Sequence, residues 1–475
     1  MESRVTRAHF LEQSAMAALA AAGLYGLVDG IAARPARALA TPQRLPAEQH
    51  LLRNVRVVAE NGVEVVVPPL HHQIVTARLD VGGRKAELLD AQRALEAALA
   101  RIDRRYAPTP AGLGVTVGWG RSYFRHRVPR LADGRGFPDY LPVDRRASRA
   151  AGKPRPALLD SGRFPSDPDD VVLEQNELCL LFRSDVLEHI VTATQNLLRE
   201  LKGLLELTSI RKGFVGGGLP KRMAVRAAIP GAELIPETAQ LFLGFTSTQR
   251  KALGPELIAN TETLRGLTDQ WPGGYFRHGT TMHVSHLHED LVTWYSSFSY
   301  IRRVWAAFRP DLSVADGTLT VDQGPPATER EADVVYDAVN FRLVGHSGAL
   351  QPATRLADGV VDNYGAHHAA GTALIQRADF NTLDNPFFWS SRPRLDRMHT
   401  QPSAGLHFVA FAPTSDSFHR ARLAMDGRYA GRPVTPFAPR AEEQGMNSVL
   451  RTTHRQNFLV PPRRHRSFPL VELLT

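Results

Sequence analysis

Apolar positions along the chain follow two spacings in turn, and each switch marks an element. Val63 to Val67 (V-E-V-V-V) predicts a strand, stopped by Pro68 and Pro69 because proline cannot donate to a ladder. His71 to Leu79 reads as a second strand. From Lys85 to Ile102 the residues Leu88, Ala91, Leu95, Ala98, Leu99 and Ile102 recur at three- and four-residue intervals, the period of a helix with one buried face. Gly112 to Gly120 predicts a strand closing in glycines, and Val171 to Phe182 another. A helix carrying Val186, Ile190, Leu197, Leu201 and Leu205 follows. Between them, Arg125 to Asp170 is polar and aperiodic, the pattern of a surface excursion. Strand, helix, strand, strand, helix is the order of a ferredoxin-like α+β unit. The pattern then recurs: His283 to His288 as a strand, Leu291 to Phe308 as a helix with Trp294, Phe298, Ile301 and Trp305 on one face, Gly405 to Phe411 as a strand, and a helix from Phe418 to Met425. The expected fold class is therefore α+β, two ferredoxin-like domains with antiparallel sheets, residues 50–268 and 269–475, divided near Leu264 to Gly274.

The N-terminus follows neither period. Arg4 and Arg7 precede an Ala/Leu-rich run from Ala15 to Val28, and Ala36 to Ala40 reads A-R-A-L-A. Charged, apolar and small-residue regions in this order predict an export signal over residues 1–40, hence a periplasmic or extracellular protein. The run is too short to span a membrane comfortably, and Asp29 ends it. Arg7 to Leu11 is similar to a twin-arginine signal with Ala8 replacing the second arginine. Residues 41–49, polar and proline-bearing, read as a linker.

With 57 basic against 48 acidic residues the formal charge is +9. That balance suits anionic substrates or acidic surfaces, but no basic block interleaved with aromatics appears, so nucleic acid is not an expected partner. A single cysteine, Cys179, lies in the apolar run L-C-L-L-F and reads as a buried thiol; it excludes an internal disulfide and any multi-cysteine metal site. The oligomeric state, a homo-oligomer included, is left open.

Candidate chemistry centres on Phe341 to Leu383. His346 lies in a Gly-flanked turn there, and a strand-like run ends in Gln376 and Arg377. An imidazole can be the axial ligand of a haem iron, with a guanidinium polarising what binds opposite or holding a propionate. His367 and His368, in the Gly/Ala/His stretch Gly365 to Gly371, are second-choice ligands. A competing reading takes His286-x-His288-x-Asp290. Alternate residues on a strand share a face, so two imidazoles and a carboxylate there point to a metal-dependent hydrolase. Gly216 to Gly218 lacks the Lys-Ser/Thr of a phosphate cradle and reads as a flexible loop.

Taken in order, several segments resemble those of the dye-decolorizing (DyP-type) peroxidases, haem enzymes of two ferredoxin-like domains. H-Q-I-V-T-A at His72, V-T-V-G-W-G-R-S-Y-F at Val115, R-K-G-F at Arg211, the His278 to Trp294 stretch, G-L-H-F-V-A-F at Gly405 and F-L-V-P-P at Phe458 carry the likeness. It implies haem b as cofactor, hydrogen peroxide and a small organic substrate, and His346 as proximal ligand in the C-terminal domain. The distal Asp of that family falls on Ser247, and its distal Arg on Gln376 with Arg377 beside it. His286 and His288 fall on a strand where basic residues meet the propionates. A Ser hydroxyl is a poor base and Gln carries no charge, so the implied peroxide-dependent oxidation is weakened or redirected. The alternative within the family is haem binding without catalysis, or release of its iron.

Overall fold

The computed structural model describes residues 15–16, 52–60, 63–128, 141–245, 257–258, 271, 273–312, 330–362, 365–398, 400–435 and 440–474. All but two residues of the expected export segment, the linker 41–49, Ser247 and most of the expected domain division lie outside them. Among the described residues no helix is long and apolar enough to cross a membrane.

The first half runs β1 (His71–Leu79), α1 (Lys85–Arg105), β2 (Gly114–Gly120), β3 (Leu178–Ser184), α2 (Leu187–Glu200) and β4 (Leu205–Phe214). Its strands stand in the antiparallel order β2-β3-β1-β4, the ferredoxin-like arrangement. The second half repeats it with β5 (Thr280–Glu289), α3 (Tyr300–Ala307), α4 (Glu331–Phe341), α5 (His346–Thr354), β6 (Gln376–Arg377), β7 (Phe380–Leu383), β8 (Ala404–Ala412), α6 (Ser415–Met425) and β9 (Leu450–Val460). The order here is β9-β5-β8-β7, again antiparallel, with β6 beside β7 on the same side of β8. The two sheets close on each other. Leu459 of β9 pairs with Trp119 of β2, and Asn381 of β7 with Phe214 of β4. Eight strands thus form a ring, which leaves no long unpaired edge.

Alternation along each strand decides what faces where. Val75 and Ala77 of β1 and Leu180 and Phe182 of β3 point outward and pack under Leu88, Leu95 and Leu99 of α1 and Ile190 and Leu197 of α2. Their neighbours Ile74, Cys179 and Leu181 point inward and meet Met282, Val284, Phe380, Val409, Phe411 and Phe458 from the second half. Burial pushes the Cys179 thiol well up, so it stays protonated and inert. Gly118 faces the same interior. A Cβ there would sit 3.0 Å from both Met282 and Phe458, so the glycine makes room for those side chains. On the outside of the second half, α6 lies over the sheet with Phe418 stacked on His283 of β5.

Two expected elements are divided. The strand over Val171–Phe182 is a two-residue strand, Val172–Leu173, running parallel to β9, and then β3. The helix over Leu291–Phe308 becomes a π-helical turn at Thr293–Ser297, a break, and α3. The break resets the helical phase. Trp294 is buried while Ile301 is exposed, so the expected single apolar face does not form.

Candidate functional site

His346 opens helix α5 rather than sitting in a turn. Gly345 caps the helix with extended backbone, and a Cβ at that position would meet the Phe308 carbonyl oxygen at 2.2 Å. The end of α3 and the start of α5 are therefore pressed together, which fixes the imidazole. Although the residue as a whole is half-buried, its Nδ1 is enclosed and finds no hydrogen-bond partner among the described residues. Burial first, then the charges of Arg377 and Arg422, pull its pKa down to about 4. At neutral pH it is a neutral imidazole with an unused nitrogen, the form that ligates a metal.

Its cationic neighbours come from two elements. Arg377 lies on β6 opposite Ala410 of β8, and Ala410 in turn opposes His283 of β5. This row belongs to the outer, helix-covered face of the sheet. Arg422 comes from α6 and is held by Asp426 at 2.6 Å and Asp167 at 3.6 Å. Arg355, just past α5, is brought down to about 10 by burial and by the nearby charge of Arg377. Two guanidinium groups, Arg377 and Arg422, thus act on one neutral imidazole, and a third, Arg355, acts on Arg377.

Gln376 belongs elsewhere. It pairs with Phe411, which opposes Met282, and this row faces the barrel interior; its amide donates to the Ala373 carbonyl at 3.0 Å. The expectation that Gln376 stands where a distal cation would be is corrected: strand alternation turns it away from His346 and turns Arg377 toward it. His286 and His288 are corrected likewise as partners of a group bound at His346. His286 opposes the inward residues His407 and His454, and His288 lies two residues further along the same face, so the sheet stands between them and His346. The second-choice ligands lie on a two-stranded hairpin, with His367 exposed and His368 bonded to Asp362 at 2.7 Å.

The His286-x-His288-x-Asp290 set is not brought together on a metal. The Asp290 carboxylate accepts from the backbone and hydroxyl of Thr293, and His286 is bonded to Asp384. Among the described residues no three His, Cys, Asp or Glu side chains are placed to hold a metal ion. Sequence reasoning missed the interior row Phe380–His407–His286–His454, which four strands set side by side. Period-two alternation places each of these residues on an inward face, but only the register joins them. A cavity of about 50 Å³ opens beside His286 and His454, and another of about 20 Å³ lies beside Phe418 and His419. Neither is lined by His346, Gln376 or Arg377.

Strand order and closure define the molecule as two ferredoxin-like halves joined into one α+β barrel with helices outside. The chain belongs to DUF7405, a family of unknown function, whose model matches residues 69–462. No curated protein matches it. Similar solved structures include the encapsulated DyP-type peroxidase of Mycobacterium smegmatis, at 14% identity and a TM-score of 0.44, covering 84% of this chain and 95% of that one. A Rhodococcus jostii DypB variant in complex with haem is similar at 13% identity and a TM-score of 0.45, over 84% and 96% of the two chains. The Cellulomonas bogoriensis DyP-type peroxidase is similar at 15% identity and a TM-score of 0.46, over 83% and 90%. None of these likenesses bears on the chemistry at His346.

Proposed function

We propose that the chain is a haem-binding protein of the DyP type, with His346 as axial ligand, that oxidises a small organic substrate slowly at the expense of hydrogen peroxide. The observation that carries this reading is the enclosed, neutral His346 imidazole, whose Nδ1 finds no partner among the described residues and whose pKa Arg377 and Arg422 help to lower. The donor set suits haem b. The imidazole lone pair is available to an iron, and the crowded cations Arg355 and Arg377 suit the propionate carboxylates. With haem bound, the site gains an iron able to take oxidising equivalents from peroxide.

The chain's own residues set the expected rate. Arg377, on the His346 side of the sheet, would supply positive charge either to a propionate or to negative charge that develops in the reaction, not to both. The base is the weak point. The resemblance to DyP-type enzymes puts Ser247 in place of a carboxylate, and a hydroxyl cannot keep a proton it has taken. Arg422 is already paired with Asp426, and Gln376 is committed to the barrel interior. The inward Gln376 favours a second reading, haem held without turnover.

Titration of haemin into the purified chain tests both readings. A Soret band that saturates at one haemin per chain is expected, and His346→Ala is expected to lose the band or the spectral signature of histidine ligation. An unchanged spectrum in His346→Ala refutes the assignment. Dye oxidation at equal haem content separates the two readings, since Ser247→Asp is expected to raise a slow rate by about tenfold or more. We further propose that residues 1–40 direct export; N-terminal sequencing of secreted protein is expected to begin near Thr41, and active protein retaining Met1 would refute it.

A further inference from the structure

The barrel's interior row of histidines ends in a polar cluster that the haem reading does not use. In β9 the register slips between Thr452 and His454, so Thr453 is the extra residue of a β-bulge. A bulge re-aims a side chain. Here the Thr453 hydroxyl comes to lie against His286 Nδ1 and 2.9 Å from His454 Nδ1. The other nitrogen of His286 lies 2.5 Å from Asp384 Oδ1, with both side chains 2% exposed. Ser403 donates to the second oxygen of Asp384 at 3.2 Å and fixes the carboxylate. With Asp384 accepting from Nε2–H, the lone pair of His286 is on Nδ1, directed at the Thr453 hydroxyl. His286, Asp384 and Thr453 all line the cavity of about 50 Å³.

We propose that Asp384, His286 and Thr453 form an acyl-transfer site for short carboxylic esters, with Thr453 Oγ1 as nucleophile. The parts have the relations such chemistry needs: a hydroxyl on a base, the base on a buried carboxylate, and open space beside the hydroxyl. As Oγ1 bonds to the ester carbonyl carbon, its proton passes to His286 Nδ1 and the carbonyl oxygen becomes an oxyanion. Collapse of that adduct breaks the ester C–O bond, and the alkoxide leaves with the proton from His286. Water then attacks the acyl-threonine, giving its proton to the same nitrogen; the acid is released and Thr453 Oγ1 recovers its proton. Arg397 and Arg451 stand at the cavity and both pair with Asp170. A guanidinium has five N–H donors, so each can still donate to the oxyanion.

The cavity selects the substrate by size. At roughly 10–15 Å³ per water it holds the equivalent of about four waters, room for an acetyl group and not for a long acyl chain. The alcohol portion then projects past Arg397, whose side chain is 60% exposed. Because the sheet separates this site from His346, its activity requires neither haem nor peroxide.

The test uses the full chain as purified, with p-nitrophenyl acetate as substrate. Release of p-nitrophenolate above the buffer rate is expected, falling by at least about 100-fold in Thr453→Val and in Asp384→Asn and persisting in Thr453→Ser. Peptide mass spectrometry of protein quenched during turnover is expected to find the acetyl group on Thr453. Wild-type rates in a folded Thr453→Val overturn the proposal, as does an acetyl group on His286 or no hydrolysis above buffer by the wild type. Should Thr453→Val fail to fold, the position of the acetyl group on the wild type decides.

Discussion

Gly345 has a φ of −74°, a conformation open to any residue, so its role is space rather than flexibility. A Cβ there would lie 2.2 Å from the Phe308 carbonyl oxygen and 2.4 Å from the Arg309 Cα, both backbone atoms that cannot swing aside. Gly345→Ala must therefore push α5 away from the end of α3. The expected cost is about 1–3 kcal/mol in stability, read from denaturant unfolding, and, under the proposed assignment of His346 as ligand, weaker haem binding because His346 moves with its helix. Gly83 is the control: nothing lies within 4 Å of a Cβ there, so Gly83→Ala is expected to leave both quantities nearly unchanged. At this scale His346 was legible as a candidate, since glycines flank it in the sequence. The placement of Gln376 and Arg377 was half legible. Alternation guarantees that neighbours on a strand face opposite ways, but which one meets His346 depends on the pairing of Arg377 with Ala410.

Within elements, the stretch from Leu291 to Phe308 was misread because a constant 3.6-residue period was carried through it. The π-helical turn at Thr293–Ser297 changes that period, and the chain leaves the helix at Phe298. Ser299 then starts α3 afresh, its side chain accepting from the Arg302 backbone N–H at 3.4 Å. Trp294, before the break, is fully buried and donates to the Leu243 carbonyl at 2.8 Å. Ile301, after it, is 37% exposed. Trp294→Ala is expected to cost about 3–5 kcal/mol, through the cavity and the lost hydrogen bond. Ile301→Lys is expected to stay within about 0.5 kcal/mol, where a continuous amphipathic helix would make the two substitutions comparably damaging. Urea unfolding of both variants compares them directly. The bulge at Thr453 was illegible for a related reason. One extra residue leaves the composition of a strand unchanged and appears only against its partner, β5.

For the whole molecule, the two-fold repeat was legible because each half carries its own periodic elements, whereas closure was not. The β2–β9 and β4–β7 contacts join residues far apart in the chain, Trp119 with Leu459 and Phe214 with Asn381, and no local pattern encodes them. Closure has an electrostatic consequence, because it leaves neutral imidazoles on both faces of the sheets. His283 is held down to about 3 and His346 to about 4, while His72 and His407 lie well below the ordinary value of 6.5. Burial is the first cause in all four. Below pH 6.5 the unfolded chain takes up a proton at each of these positions and the folded chain does not, so stability present above 6.5 is lost as the pH falls toward 4. Glu289 works the other way. Burial first, then Asp384 and Asp379, raise it to about 8, so between pH 4.5 and 8 the folded chain keeps a proton the unfolded chain has released. That contribution grows as the pH falls, but it is one group against four. The expected net effect is a loss of several kcal/mol between pH 6.5 and 4.5, at about 1.4 kcal/mol per pH unit for each unbalanced proton. Thermal melting at constant ionic strength measures it. His407→Phe is expected to flatten the decline by about one proton's worth, since the ring already packs beside Phe380. Glu289→Gln is expected to steepen it. A Tm that stays level or rises from pH 6.5 to 4.5 would mean that the buried imidazoles take up protons in place and that the barrel interior admits charge.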